Sequence, residues 1–164
     1  MSRLHSGGRS VDRQEILSRI EAIQRESHNP TQLKTLIAEW ERDFGLEYND
    51  LAEGILADDV RKKVGGWAER KNLSTVEDLI RNMWETWTEG KFTINRKEDG
   101  VQIHCTRCPI ADTYRSIGRE EYGFIFHCSV DAHVASGFNP KMRFRRTKTL
   151  MMGDDCCDHH YSMD

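Results

Sequence analysis

Along the first ninety residues, apolar side chains recur at helical spacing. Ile16, Leu17, Ile20 and Ile23 form one stripe between Asp12 and about Arg25 and predict an amphipathic helix. Asn29-Pro30-Thr31 interrupts that pattern and opens a second helix, in which Leu33, Leu36, Ile37, Trp40 and Phe44 share one face and Gly45 marks the end. Leu51, Ile55, Val60, Val64 and Trp67 predict a third, capped by Asn49 or Asp50 and loosened near its end by Gly65-Gly66. Ser74-Thr-Val-Glu77 reads as a capping box, in which the serine oxygen and the glutamate carboxylate each take a free amide at a helix start. Behind it Val76, Leu79, Ile80, Met83, Trp84 and Trp87 form the strongest stripe of the chain. Its spacing suits packing against a sheet. An exposed face on the same helix would equally serve a homodimer interface.

At Lys91 the period falls from 3.6 to 2. Phe92 and Ile94, a turn at Glu98-Asp-Gly100, then Val101, Ile103 and Cys105 predict a β-hairpin. Pro109 starts a short helix to about Ile117. Residues 120–137 are ambiguous, with Phe124 and Phe126 suggesting a strand and Asp131 to Ser136 a helix. Met142 and Phe144 alternate with arginines in a third strand, and a fourth puts Cys157, His159 and Tyr161 on one face and Cys156, Asp158 and His160 on the other. The expected fold is therefore α+β: N-terminal helices packed on an antiparallel sheet of about four strands with helical insertions. Residues 1–11, rich in Ser, Gly and Arg, read as a flexible tail. Residues 12–164 read as a single domain, helical over 12–90 and bearing the sheet and the cysteines over 91–164.

Composition narrows the function. A net charge of −3, with the acidic excess in the first ninety residues and near balance after them, gives no coherent basic face for nucleic acid. No apolar run approaches the ~18 residues of a membrane span, and the N-terminus lacks the apolar core of an export signal, so a cytoplasmic location is expected. Five cysteines, an odd number, fit reduced thiols better than a disulfide framework. All five lie after residue 100, and Asp154 to Tyr161 gathers thiols, carboxylates and imidazoles in one short run.

Several pieces of the second half, Cys108-Pro-Ile-Ala, Phe126-His-Cys-Ser-Val-Asp131, Gly137-Phe-Asn-Pro140, residues 144–150 and Gly153-Asp-Asp-Cys-Cys-Asp158, occur in order. With them, about residues 90–161 resemble the L-2-amino-thiazoline-4-carboxylic acid hydrolase family; the first ninety match it only in being helical. The resemblance implies hydrolytic opening of a thiazoline ring to an N-carbamoyl cysteine. The positions it carries over are Cys108, Cys128, Asp131, Asn139, Cys157 and Asp158. Cys105, Cys156, His159 and His160 fall outside that pattern.

Two chemistries fit these residues. Cys108, Cys128 and Cys157, with His159 or His127, would make a soft tetrahedral site for a divalent transition metal, zinc in preference, with an open position for water. Alternatively Cys157 or Cys128 is a nucleophilic thiolate, with a nearby histidine, His127 or His159, as base and a carboxylate such as Asp131 or Asp158 as orienter. Cys157 and His159, two apart on a strand, share a face, whereas His127 and Cys128 would point apart if their segment were a strand. The substrate would be a small-molecule carboxylate held by Asn139 and by Arg143 or Arg145, whose guanidinium suits bidentate binding. A non-catalytic metal- or ligand-binding module with the same Cys/His cluster is the competing class. Each cysteine taken alone could equally be a small buried hydrophobe.

Overall fold

The computed structural model describes residues 3–6 and 9–164, with side chains from Asp12 onward. In chain order the elements are β1 (Arg3–Ser6), β2 (Arg9–Asp12), α1 (Arg13–Arg25), α2 (Pro30–Asp43), a 3-10 turn (Leu46–Tyr48) and α3 (Asn49–Lys71). Then come α4 (Val76–Leu79, running on through Ile80–Trp84), β3 (Lys91–Lys97), β4 (Gly100–Arg107) and α5 (Pro109–Ser116). The chain finishes with α6 (Glu120–Gly123, running on through Phe124–Cys128), α7 (Asp131–Phe138), β5 (Met142–Arg145) and β6 (Cys157–Met163). The stretch expected as a flexible tail is partly outside the described residues (1, 2, 7 and 8). Within it the backbones of β1 and β2 pair as an antiparallel ribbon.

Helices α1 and α2 follow the sequence pattern. Asp12 caps α1 by accepting from the Gln14 amide, Asn29 caps α2 by accepting from that of Gln32, and Pro30 occupies a first-turn site that needs no N–H. Three local expectations are corrected. Helix α3 is entered directly from the 3-10 turn, so Asn49 and Asp50 lie in its first turn and no side chain caps it. The capping box sits one residue later than expected. The Thr75 hydroxyl accepts from the Asp78 amide, and the Asp78 carboxylate takes the amides of Ser74 and Thr75, each at 3.0 Å. The candidate strand at Phe124 and Phe126 is helical instead. One turn of helix puts Tyr122 and Phe126 on the same face, where Phe126 stacks on Tyr122 and meets Trp40 edge-on at 5.2 Å.

The Gly65-Gly66 pair does not loosen α3, which runs on to Lys71. Its role is close approach. A Cβ on Gly65 would stand 3.1 Å from the Gly137 carbonyl of α7, and one on Gly137 would stand 2.8 Å from the Arg61 carbonyl. Glycine on both sides lets α3 and α7 touch backbone to backbone.

Among the described residues the main sheet has four strands in the order β3-β4-β6-β5, all antiparallel. Its inner face carries Ile103, Cys105, Cys157, His159, Tyr161 and Phe144; Gln102, His104, Asp158, Arg143 and Arg145 alternate to the other side. This is the one-sided pattern of an antiparallel sheet covered by helices, and the fold is α+β.

Among the described residues, buried apolar side chains fall into two clusters. One gathers α1, α2 and the start of α3 with Tyr114, Phe126, Met151, Cys105 and Cys157. The other packs Leu79, Ile80, Ile103, Phe138, Met142 and Tyr161. Trp84 and Phe92 border both clusters.

Gly137→Ala is expected to destabilise the fold by about 1–3 kcal/mol, because the clash is with backbone that cannot rotate away. Gly54→Ala, whose new methyl meets nothing within 4 Å, is expected to be neutral or stabilising by up to ~1 kcal/mol. Urea denaturation of the two variants checks both signs.

Candidate active site

A cavity of about 240 Å³ lies where the two clusters meet. Sheet strands supply Cys105, Cys157, His159 and Tyr161 to its wall, and the helices and loops supply Trp84, Cys108, His127, Cys128, Asp131 and Arg146. Two helices reach it by the same device. The last turn of α4 widens to a π turn, closed by the Glu85 amide on the Ile80 carbonyl at 2.9 Å. That of α6 does likewise, with the Ser129 amide on the Phe124 carbonyl at 2.8 Å. Each turn spreads its side chains over a wider arc. The first delivers Met83 and Trp84, the second His127 and Cys128. His127 and Cys128 therefore share the cavity, which a strand would have forbidden.

Cys157 is the best-supported thiolate. Cys105 lies directly opposite it in the β4–β6 register and favours its thiolate, with its own S–H on the Arg107 carbonyl at 3.3 Å, and the Leu150 amide donates to the Cys157 sulfur at 3.2 Å. Cys105, His159 and the Leu150 amide together outweigh burial and hold the Cys157 thiol well below the usual cysteine range. Cys105 moves the other way, held protonated by Cys157 and by burial. Burial also pushes Cys128 and Cys108 up.

His159 is buried on the same face, edge-on to Trp84 at 5.0 Å and to Phe144 at 5.3 Å. Its Nδ1 lies 3.4 Å from the Tyr161 hydroxyl, which accepts from the Trp84 indole N–H at 3.1 Å. Its Nε2 lies 4.0 Å from the Asp131 carboxylate. Burial pushes Asp131 up, opposed by His159 and Arg146. Arg146 pairs with Asp131, donates to the Cys128 carbonyl at 3.2 Å, and sits 5.5 Å from the Phe124 and Phe144 rings. Across the cavity, burial lowers His127 to about 4 and raises Tyr114, so a protonated Tyr114 hydroxyl and a neutral imidazole share a hydrogen bond at 2.9 Å.

Of the six positions carried over by resemblance, Cys108, Cys128, Asp131 and Cys157 line the cavity. Asn139 and Asp158 do not. Asn139 is a tie between turns, donating to the Ser74 carbonyl at 2.8 Å and accepting from the Lys141 amide at 2.9 Å. Asp158 faces away from Cys157 and accepts from the Thr147 amide at 2.8 Å, the Lys148 amide at 2.7 Å and the Thr147 hydroxyl. Burial pushes its carboxyl up, but these donors win and hold it below the usual range. That latch sets the loop carrying Leu150 against Cys157.

Neither of the two arginines expected to hold a carboxylate lines the cavity. Arg143 and Arg145 are exposed on the far side of β5, and Arg143 is engaged by Asp164. Arg146, one residue beyond the end of β5, escapes the strand alternation and turns into the cavity. Its guanidinium is the one lining that wall among the described residues.

Cys108, Cys128, Cys157 and His159 line one cavity, yet among the described residues no three His, Cys, Asp or Glu side chains are grouped to hold a metal ion.

The family model for L-2-amino-thiazoline-4-carboxylic acid hydrolase matches residues 24–161. The chain belongs to this family. The match extends well beyond the second half, taking in α2 and α3, so the helices under the site are part of the L-2-amino-thiazoline-4-carboxylic acid hydrolase pattern. No curated protein and no solved structure matches the chain. Among the described residues no helix is long and apolar enough to cross a membrane.

Alkylation of Cys157 by iodoacetamide, told from that of Cys156 by fragmentation of their shared peptide, should level off at a pH well below that of an ordinary cysteine. An unperturbed cysteine would still be climbing near pH 8.5. Cys105→Ala should move the midpoint upward, because it removes the neighbouring thiol that favours the thiolate. A wild-type midpoint near 8.5 would discard the thiolate.

Proposed function

We propose that this protein is a cysteine-dependent hydrolase that opens a thiazoline-type carboxylate at its ring C–S bond. The observation that carries the reading is the Cys157 sulfur on the cavity face of β6, engaged by the Leu150 amide at 3.2 Å and next on that face to His159. Family membership supports the substrate class.

The Cys157 thiolate attacks the carbon between ring sulfur and ring nitrogen, and the nitrogen takes a proton from His159. The C–S bond then breaks and the ring sulfur leaves as a thiolate. His159 next removes a proton from water, whose oxygen adds to the same carbon. Release of Cys157 completes the cycle. The proton left on that oxygen passes to the substrate's sulfur, so one water is consumed and an N-carbamoyl thiol is formed. Asp131 orients His159, and Cys105 steadies the Cys157 sulfur each time it is released. Arg146 takes the place expected of Arg143 and Arg145 as the cationic group nearest a bound carboxylate.

Opening the ring exposes one thiol per substrate, which a chromogenic disulfide reagent reads directly with 2-amino-thiazoline-4-carboxylate. Cys157→Ser is expected to lower kcat by about 10³-fold or more while thermal unfolding stays cooperative. Arg146→Lys is expected to act mainly on KM, since the charge stays and the planar fork is lost. Undiminished turnover in Cys157→Ser would remove the nucleophile from the scheme.

A further inference from the structure

We propose that Cys105 and Cys157 form a peroxide-sensitive dithiol that closes to a reversible disulfide inside the cavity. They are Cα partners in the β4–β6 register, on the inner face of the sheet, and both line the same wall. Facing residues of an antiparallel pair have Cα atoms about 4.5–5.5 Å apart, inside the range of about 4.4–6.8 Å that a disulfide spans. Cys105 also lies within 3.3 Å of the Arg107 carbonyl on its own strand. The vicinal Cys156 precedes β6 and lies outside the cavity wall.

The oxidant is a hydroperoxide small enough to enter the cavity. The Cys157 thiolate attacks its terminal oxygen; the O–O bond breaks, sulfur loses two electrons to oxygen, and hydroxide or alkoxide leaves. Cys157 is now a sulfenic acid. The Cys105 sulfur then attacks the Cys157 sulfur, the S–O bond breaks, and the departing hydroxide carries off the Cys105 proton as water. A dithiol reductant reverses the bond by exchange. While closed, the bond keeps the Cys157 sulfur from acting as a nucleophile. A pair with this geometry protects the thiol from over-oxidation and silences it under oxidising conditions.

The test treats the full chain with hydrogen peroxide, blocks the remaining thiols and maps the peptides by mass. Trypsin cuts after Arg107 and so separates Cys105 from Cys108, while fragmentation of peptide 149–164 tells Cys156 from Cys157. Expected is loss of two thiols per chain, a Cys105–Cys157 cross-link, and recovery of both thiols with dithiothreitol. In Cys105→Ala the same treatment should leave Cys157 as a sulfenic acid trapped by dimedone. A cross-link to Cys108, Cys128 or Cys156, or no cross-link at all, overturns the proposal. The mapping uses no thiazoline, so its result is separate from whether the chain hydrolyses one.

Discussion

The pairing of β4 with β6 is the constraint on which the site depends. Their register sets Cys105 against Cys157, Ile103 against His159 and Val101 against Tyr161, so one face of two strands supplies the thiol pair, the imidazole and the phenol. Side chains alternate, so a slip of one residue would exchange that set for Gln102, His104, Asp158 and His160. The buried inner face opposes such a slip: fully enclosed Ile103 and nearly enclosed Tyr161 cannot be traded for polar residues without a large loss of apolar burial. Asp158 fixes the arrangement from the other side. Its carboxylate holds the Thr147–Lys148 turn, and through it the Leu150 amide reaches the Cys157 sulfur.

The helices complete what the strands begin. Regular α-helical ends would present a narrower arc to the sheet; the π turns closing α4 and α6 bring Trp84, His127 and Cys128 to one cavity. Contact between α3 and α7 at Gly65 and Gly137 sets α7 close, and Asp131, its first residue, is thereby fixed opposite His159. The Asp131–Arg146 pair is largely enclosed, with the Arg146 side chain 10% exposed, and removing one partner of such a pair costs about 3–5 kcal/mol. It joins the end of β5 to the start of α7.

Much of this was readable from the chain. Apolar stripes located α1, α2 and the Trp84 helix, and alternation located the hairpin, β5, β6 and the shared face of Cys157 and His159. What escaped was set by tertiary contact. Phe124 and Phe126 look like strand residues, yet the ring of Trp40, remote in sequence, rewards a helix there. Gly65-Gly66 looks like a helix breaker until α7 is laid against it. Arg143 and Arg145 were drawn in by their charge, although strand parity with Met142 and Phe144 already turned them outward. Arg146 needed the strand's end to be known within one residue, and Cys105 needed the register of two strands separated by residues 108–156.

The cavity's place at the join of two hydrophobic clusters has one more consequence. Its walls belong partly to Met151, Cys105 and Cys157 of one cluster and partly to Leu79 and Tyr161 of the other, so an occupant touches both. Anything that binds only the folded chain raises its resistance to unfolding by mass action. Here that gain would be shared by both halves of the interior at once. Occupancy would act as a keystone for the whole fold, and resistance to heat would register a guest that is never turned over.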